Sequence, residues 1–442
     1  MRSMLTFYIE MTKLLIKNGR YINPKTNTDE VLDVLVQDGK IVDLKKEINL
    51  NGSTQIIDAK ELWVLPGLID IHCHLRDPGQ PEKETIETGT KSAARGGFTS
   101  ICPMANTKPP IDTAALVEYV NKTNQKFGSV NIFQIAAVSK GLMQEELTPF
   151  EELKSAGAIG FSDDGKPIEN LSLLRHALEY AQMFDMNIVS HAEDSSLCCG
   201  GAVHEGHWSI KLGIPGIPSA SEAACVAREI ELVRQTKGKL HFAHVSTKEA
   251  VKLIRSAQNE GLRVTAEVTP HHLVLTDEDI QDFSTNKKMN PPLRSKEDQE
   301  ALIKGVLDGT IGTFATDHAP HTFEEKSRSL IEAPFGIIGF ETALPIYLEI
   351  FSHTGKLSPV DFVKKFTVSP ASVLNIPRGS ISVGDIADIT IIDPNADWVY
   401  DVSTTSSKSR NSPFHNRRLK GKAIFTIVNG KVVFQEKTNE KK

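Results

Sequence analysis

Apolar residues in the first 65 positions fall into short runs rich in Val, Ile and Leu. LLIKNGRYI (14–22), VLDVLVQDGKIVDL (31–44) and TQIIDAKELWVLP (54–66) are punctuated by Asn-Gly and Asp-Gly, pairs that favour tight β-hairpin turns. The last 65 residues have the same texture. DIADITIIDP (385–394) and KAIFTIVNGKVVF (422–434) read as strands, the second turning at Asn429-Gly430. Helical periodicity is nearly absent from both ends. Chain ends often lie close together, so residues 1–65 and 378–442 are expected to pair into one small β-sandwich domain.

The middle of the chain alternates. Short apolar runs at 68–75, 98–104, 131–138, 158–162, 187–191, 240–245, 262–268 and 310–317 are separated by longer amphipathic stretches, among them 84–97, 172–184, 220–238 and 247–261. In those stretches apolar residues recur every three or four positions, and several end in Gly, as helices do. Eight strand–helix units predict an α/β fold, a (β/α)₈ barrel over residues 66–377.

The chain has 442 residues. About 150 residues per domain would give about three units, but a barrel often takes 250 or more by itself. Hydrophobic residues at 40% and charged residues at 24% are ordinary for a globular protein, and the net charge is −6. No basic stripe suits nucleic acid. No apolar run reaches the length of a membrane span. The N-terminus lacks the pattern of a signal peptide and reads as an upstream extension before a first strand that starts after Met11; the polar tail after Glu436 is expected to fray. Five cysteines without CxxC spacing read as reduced thiols of a cytoplasmic protein.

Polar residues gather at the C-terminal ends of the predicted barrel strands, where barrel enzymes build their sites. His72 and His74 close the first strand on one face with Arg76, while Cys73 and Leu75 point away. His191 ends the fifth strand, His244 the sixth and Asp317 the eighth. A lone HxH is as readily a pair of core histidines. Four imidazoles and a carboxylate at four strand ends are instead a ligand set for two zinc ions. Two metals need a bridging anion, and the fourth strand ends in Ser162-Asp163-Asp164-Gly165. Asp163 and Asp164 point to opposite sides of an extended strand, so one of them bridges. His204 and His207 fall in a loop. His271 and His272 read as structural, and His318 points away from Asp317.

DIHCHLRDPG (70–79) and ATDHAPHTFEEK (315–326) resemble the paired signatures of type I dihydroorotases of the amidohydrolase superfamily. Segments 97–110, 204–222, 266–273, 288–294 and 334–345 are similar to that family too. The resemblance covers essentially the whole chain. It implies a cyclic amide hydrolase that interconverts N-carbamoyl-L-aspartate and L-dihydroorotate by zinc-activated hydroxide chemistry, in pyrimidine synthesis. It further implies His72 and His74 on one zinc, His191 and His244 on the other, and Asp164 bridging, with Asp163 in reserve. Asp317 becomes both a ligand and the catalytic acid/base. Arg76, Asn106 and His321 fall on the substrate carboxylate, with His74 beside them, and Asn290, Phe335 and Gly336 on the ring. One zinc in place of two, or cobalt or manganese, fits the same ligands, and a homodimer or a complex with aspartate transcarbamoylase fits the same family.

Two alternatives remain. Hydantoinases, dihydropyrimidinases and allantoinases share the expected fold and metals, but many bridge through a carboxylated lysine on the fourth strand. Here Lys166 lies beyond Gly165. Their substrates also lack the carboxylate that Arg76 would pair. A metal-free scaffold that only binds a partner would have shed ligands, and none is missing here. Residues 322–340, broken by Pro and Gly, are expected to form a loop at the barrel mouth that closes over substrate.

Overall fold

A computed structural model describes residues 13–49 and 54–437. The readings made for the first eleven residues and for the end of the tail lie outside them. The two chain ends build one eight-stranded sheet. Its seam is the antiparallel pairing of Trp63–Pro66 with Ile389–Val399, in the register Val64↔Ile391 and Pro66↔Ile389. The apolar faces enclose a core of their own, including Ile16, Val34, Ile41, Val64, Ile389 and Ile427. The turns at Asp38-Gly39 and Asn429-Gly430, from opposite ends of the sequence, pack on each other. A Cβ on Gly430 would lie 2.9 Å from the Gly39 Cα, and both glycines have positive φ.

The central strands, here β1 (Leu68–Cys73), β2 (Phe98–Pro103), β3 (Asn131–Ile132 and Ile135–Ala136), β4 (Gly160–Phe161), β5 (Asn187–Ser190), β6 (Leu240–Phe242), β7 (Val264–Val268) and β8 (Thr313–Phe314), pair in parallel. The fold is a (β/α)₈ barrel carrying a β-sandwich. Each strand is shorter than its apolar run. β3 breaks at Phe133 and Gln134, where Phe133 donates to Ile101 and Ile159 donates to Gln134. In the 310–317 run the strand covers only 313–314, and the chain leaves extended backbone at Asp317, which takes φ 49°. Asp70 closes the barrel between β8 and β1, its carboxylate accepting from Thr316 N at 3.0 Å and Thr316 Oγ1 at 2.6 Å.

Helices cover the barrel as the periodicity predicts. Ile86–Arg95, Leu171–Gln182, Ser219–Thr236 and Lys248–Asn259 bury their apolar positions, and Thr85, Asn170 and Thr247 cap three of them. Beside β8 the ring of Phe314 stacks on Tyr347 at 3.9 Å and meets Phe366 at 5.1 Å and Phe351 at 5.4 Å. All four side chains are buried. Phe314→Ala leaves a void that this aromatic packing cannot fill. A loss of about 3–5 kcal/mol is expected, read as a fall in the denaturant midpoint.

Candidate metal centre

β1 delivers His72 and His74 to the mouth of the barrel. The Nδ1–H of His72 donates to Glu267 on β7 at 2.6 Å, which leaves the Nε2 lone pair free to face the mouth. The Nδ1–H of His74 donates to Asn106 Oδ1 at 2.9 Å, freeing its Nε2 in the same way. A hydrogen bond on one ring nitrogen thus fixes the other as a ligand.

Around these two nitrogens the ends of four more strands converge. Asp164 Oδ1 lies 3.4 Å from His72 Nε2, 3.5 Å from His191 Nδ1 and 3.7 Å from His244 Nε2. Its Oδ2 lies 3.5 Å from His74 Nε2. Asp317 Oδ1 is 3.2 Å from His74 Nε2 and 3.6 Å from His72 Nε2. Two ligand atoms on one tetrahedral zinc, each about 2.1 Å from it, are about 3.4 Å apart. The spacing fits a cation between them. So does hydrogen bonding: His72 Nε2 and Asp164 Oδ1 are buried with no hydrogen-bond partner, an arrangement that is costly unless something else satisfies them. His72, His74 and Asp164 could hold one ion, and Asp164, His191 and His244 another.

Electrostatics agrees with the geometry. Burial alone would depress the His191 imidazole, yet Asp164 and Glu193 outweigh it and hold its pKa at about 10. Burial opposes Glu267 as well, but His72 and His241 keep it at about 2. Burial likewise works against the Asp317 carboxylate, and His74 and His72 hold it well below the usual range. The carboxylates are thus held ionised and His191 protonated, whereas burial and the neighbouring imidazoles pull His244 down; imidazolium charge stands where a divalent cation would balance the carboxylates.

The structure separates the two aspartates. Asp163 turns away, accepting from the backbone of Val138 at 2.8 Å and Ser139 at 3.1 Å and from the Ser139 hydroxyl; Asp164 enters the centre. Arg76 arrives by an unexpected route. β1 ends at Cys73, and Arg76 sits at φ 58°, so a left-handed turn and not strand alternation aims its guanidinium. His244 and Asp317 also have positive φ. Such backbone costs about 1–3 kcal/mol per residue and persists where its surroundings enforce it.

A cavity of about 300 Å³ opens above the cluster. Arg76, Asn106, Asn290, His321, Phe335 and Gly336 line it together with His74, Asp164, His191, His244 and Asp317. Arg76 donates to the Pro320 carbonyl and approaches His321 Nε2 at 3.3 Å; among the described residues it has no carboxylate in ion-pair range. His204, His271, His272 and His318 stay outside, held by Arg294, Thr269 and Glu84. All five cysteines are free. No helix among the described residues is long and apolar enough to cross a membrane.

Glu267 and Glu193 went unrecognised in the sequence. A charge inside the apolar run LRVTAEV (262–268) was the available signal for Glu267. Nothing marked Glu193, which lies 3.9 Å from His191 Nε2.

A model of the dihydro-orotase-like family matches residues 62–250. A dihydroorotase of Acetivibrio thermocellus is 50% identical over 424 residues, which is 96% of this chain and 99% of the relative. The chain belongs to the dihydroorotase family. A second dihydroorotase, from Pelotomaculum thermopropionicum, is 47% identical over 96% of this chain and 99% of its own. Among solved structures, an L-hydantoinase (dihydropyrimidinase) from Arthrobacter aurescens superposes with a TM-score of 0.87 at 27% identity, covering 96% of each chain. Dihydroorotases and hydantoinases thus share this barrel-and-sandwich frame, and the cavity lining has to account for their different substrates.

Glu267→Gln should loosen His72, and it also alters the acceptor of the His244 amide. Metal affinity is expected to fall about 10–100-fold, measured by competition with a chromogenic chelator; unchanged affinity would remove Glu267 from this role.

Proposed function

We propose that this cavity closes N-carbamoyl-L-aspartate to L-dihydroorotate and reopens it. The observation that carries the reading is Arg76, a guanidinium facing the ligand cluster with no carboxylate of its own. A substrate carboxylate would complete it, and the planar fork suits that group. Hydantoins and dihydropyrimidines offer none. Asn106 and His321 line the cavity with it: Asn106 already holds His74 and Asp164, and the His321 ring reaches both Arg76 and the Phe335 carbonyl. Asn290 and the Phe335-Gly336 backbone are left for the ring.

His72, His74 and Asp317 would hold one divalent ion and His191 and His244 a second, with Asp164 between; zinc suits these donors, and when bound it supplies Lewis acidity toward the ring carbonyl and lowers the pKa of water. Asp317 accepts the proton given up by the attacking water and delivers it to the departing amide nitrogen, so one carboxylate serves as base and then acid. In the reverse direction the ureido nitrogen attacks the side-chain carboxyl, Asp317 takes its proton and passes it to the departing oxygen, the C–O bond breaks, and with one further proton from solvent the oxygen leaves as water. Arg76 fixes the distal carboxylate throughout, which turns the closure into a positioned intramolecular reaction.

Residues 66–377 are assigned to this chemistry, with 1–65 and 378–442 as the sandwich beside it. The loop at 322–340 is read as the cover of the mouth. A cytoplasmic setting accords with this reading, and a homodimer or an aspartate transcarbamoylase complex is compatible with it.

Asp317→Asn is expected to lose about 10²–10⁴-fold in kcat while keeping metal and fold; near-wild-type turnover would exclude Asp317 as the acid/base. Arg76→Met should raise KM for dihydroorotate and leave hydantoin, which has no carboxylate, equally poor; an unchanged KM would sink the carboxylate assignment. Closure neutralises one carboxylate and takes up one proton, so the equilibrium should shift toward the ring by about tenfold per pH unit on acidification, read from the reactant ratio after prolonged incubation.

A further inference from the structure

Lys326 has no part in the chemistry above and does not line the cavity. Its ammonium is buried, with the residue only 7% exposed. Nζ donates to the carbonyls of Pro334 and Gly336, both at 3.0 Å, and approaches that of Lys288 at 3.4 Å. These carbonyls belong to two different walls of the cavity. Lys288 stands two residues before Asn290, and residues 334–336 form another edge. The walls touch where the Gly336 amide donates to the Lys288 carbonyl at 2.9 Å. Lys326 ties that joint from a third segment, the one that carries Asp317 and His321.

The rest of the loop is fastened around the same point. Lys288 Nζ donates to the Ile331 carbonyl at 2.9 Å and lies 4.5 Å from the centre of the Phe335 ring. Asn411 Nδ2 donates to the carbonyls of Gly336 at 3.1 Å and Ala319 at 3.0 Å. Among the described residues no carboxylate pairs with Lys326. An ammonium taken out of water and met only by carbonyl dipoles is costly, and burial with Lys288 nearby pulls its pKa down to about 7. An apolar side chain would fill the space more cheaply. What the ammonium adds is direction, three donors that hold two backbone segments at a fixed spacing.

We propose that Lys326 is a positioning residue whose ammonium sets the separation between the Asn290 segment and the 334–336 loop, and with it the width of the cavity end that receives the substrate ring. The proposal rests on reading the cavity as a dihydroorotase site, but the spacing itself can be measured without any reactant.

Lys326→Met keeps the side chain's length and removes its donors. KM for both reactants should rise about tenfold, kcat per bound metal should stay within about threefold, and ligand-free amide exchange over residues 334–338 should accelerate. Asn411→Ala releases the Gly336 carbonyl from the other side, together with the Ala319 carbonyl and the His321 amide, so its readout is exchange at 334–338, which should accelerate as well. A merely structural role would shrink the folded, metal-loaded fraction and leave the KM of the remainder unchanged. That result, or unchanged exchange at 334–338, overturns the proposal. If Lys326→Met does not accumulate as folded protein, Lys326→Gln carries the same comparison. If the wild type fails to turn over dihydroorotate, the functional reading falls, and the exchange rates alone decide the spacing role.

Discussion

Ring nitrogens of four imidazoles and oxygens of two carboxylates converge on one small buried volume. Left bare, His72 Nε2 and Asp164 Oδ1 would be buried polar atoms without partners, each a liability of about 1–3 kcal/mol. The surroundings are arranged to hold this convergence in place. Glu267 and Asn106 lock two ring orientations from behind. Backbone in the left-handed region aims His244, Asp317 and Arg76, and Asp70 bolts the eighth strand to the first just below. The barrel matters because it brings strand ends that are far apart in sequence to one rim.

Two charges frame the site. At the end of β4 the group between the two ligand sets is the carboxylate of Asp164, supplied by the chain itself. The guanidinium of Arg76 lines the same cavity. The first asks for cations and the second for a carboxylate. A reactant that presents a scissile amide and a distal carboxylate satisfies both at once, and rigid placement of both ends does much of the work of a cyclisation.

Much of this could be read from the residues in order. Alternation and three-to-four periodicity located the barrel strands and the helices at 86–95, 171–182, 219–236 and 248–259, because burial on one face is a local property of the sequence. His72, His74, His191, His244 and Asp317 were readable because strand ends in a barrel share a rim. Three things were not. The choice between Asp163 and Asp164 depended on where the Val138 and Ser139 amides lie, 25 residues away. The aim of Arg76 came from one positive φ, which no periodicity encodes. Glu267 and Lys326 are buried charges whose partners lie nearly 200 residues off or on backbone carbonyls; a sequence shows the charge but not its partner.

The seam of the sandwich has a consequence for how the chain is made. Trp63–Pro66 emerges early, yet its partner at 389–392 is more than 300 residues behind. Until the final stretch is synthesised, that edge stays open and the first hairpins have half a core. Pairing across so long a separation is slow, and an open edge invites other chains. The enzyme's small domain is therefore the last to be completed, and an interrupted chain would be less a shortened enzyme than a sticky strand looking for a neighbour.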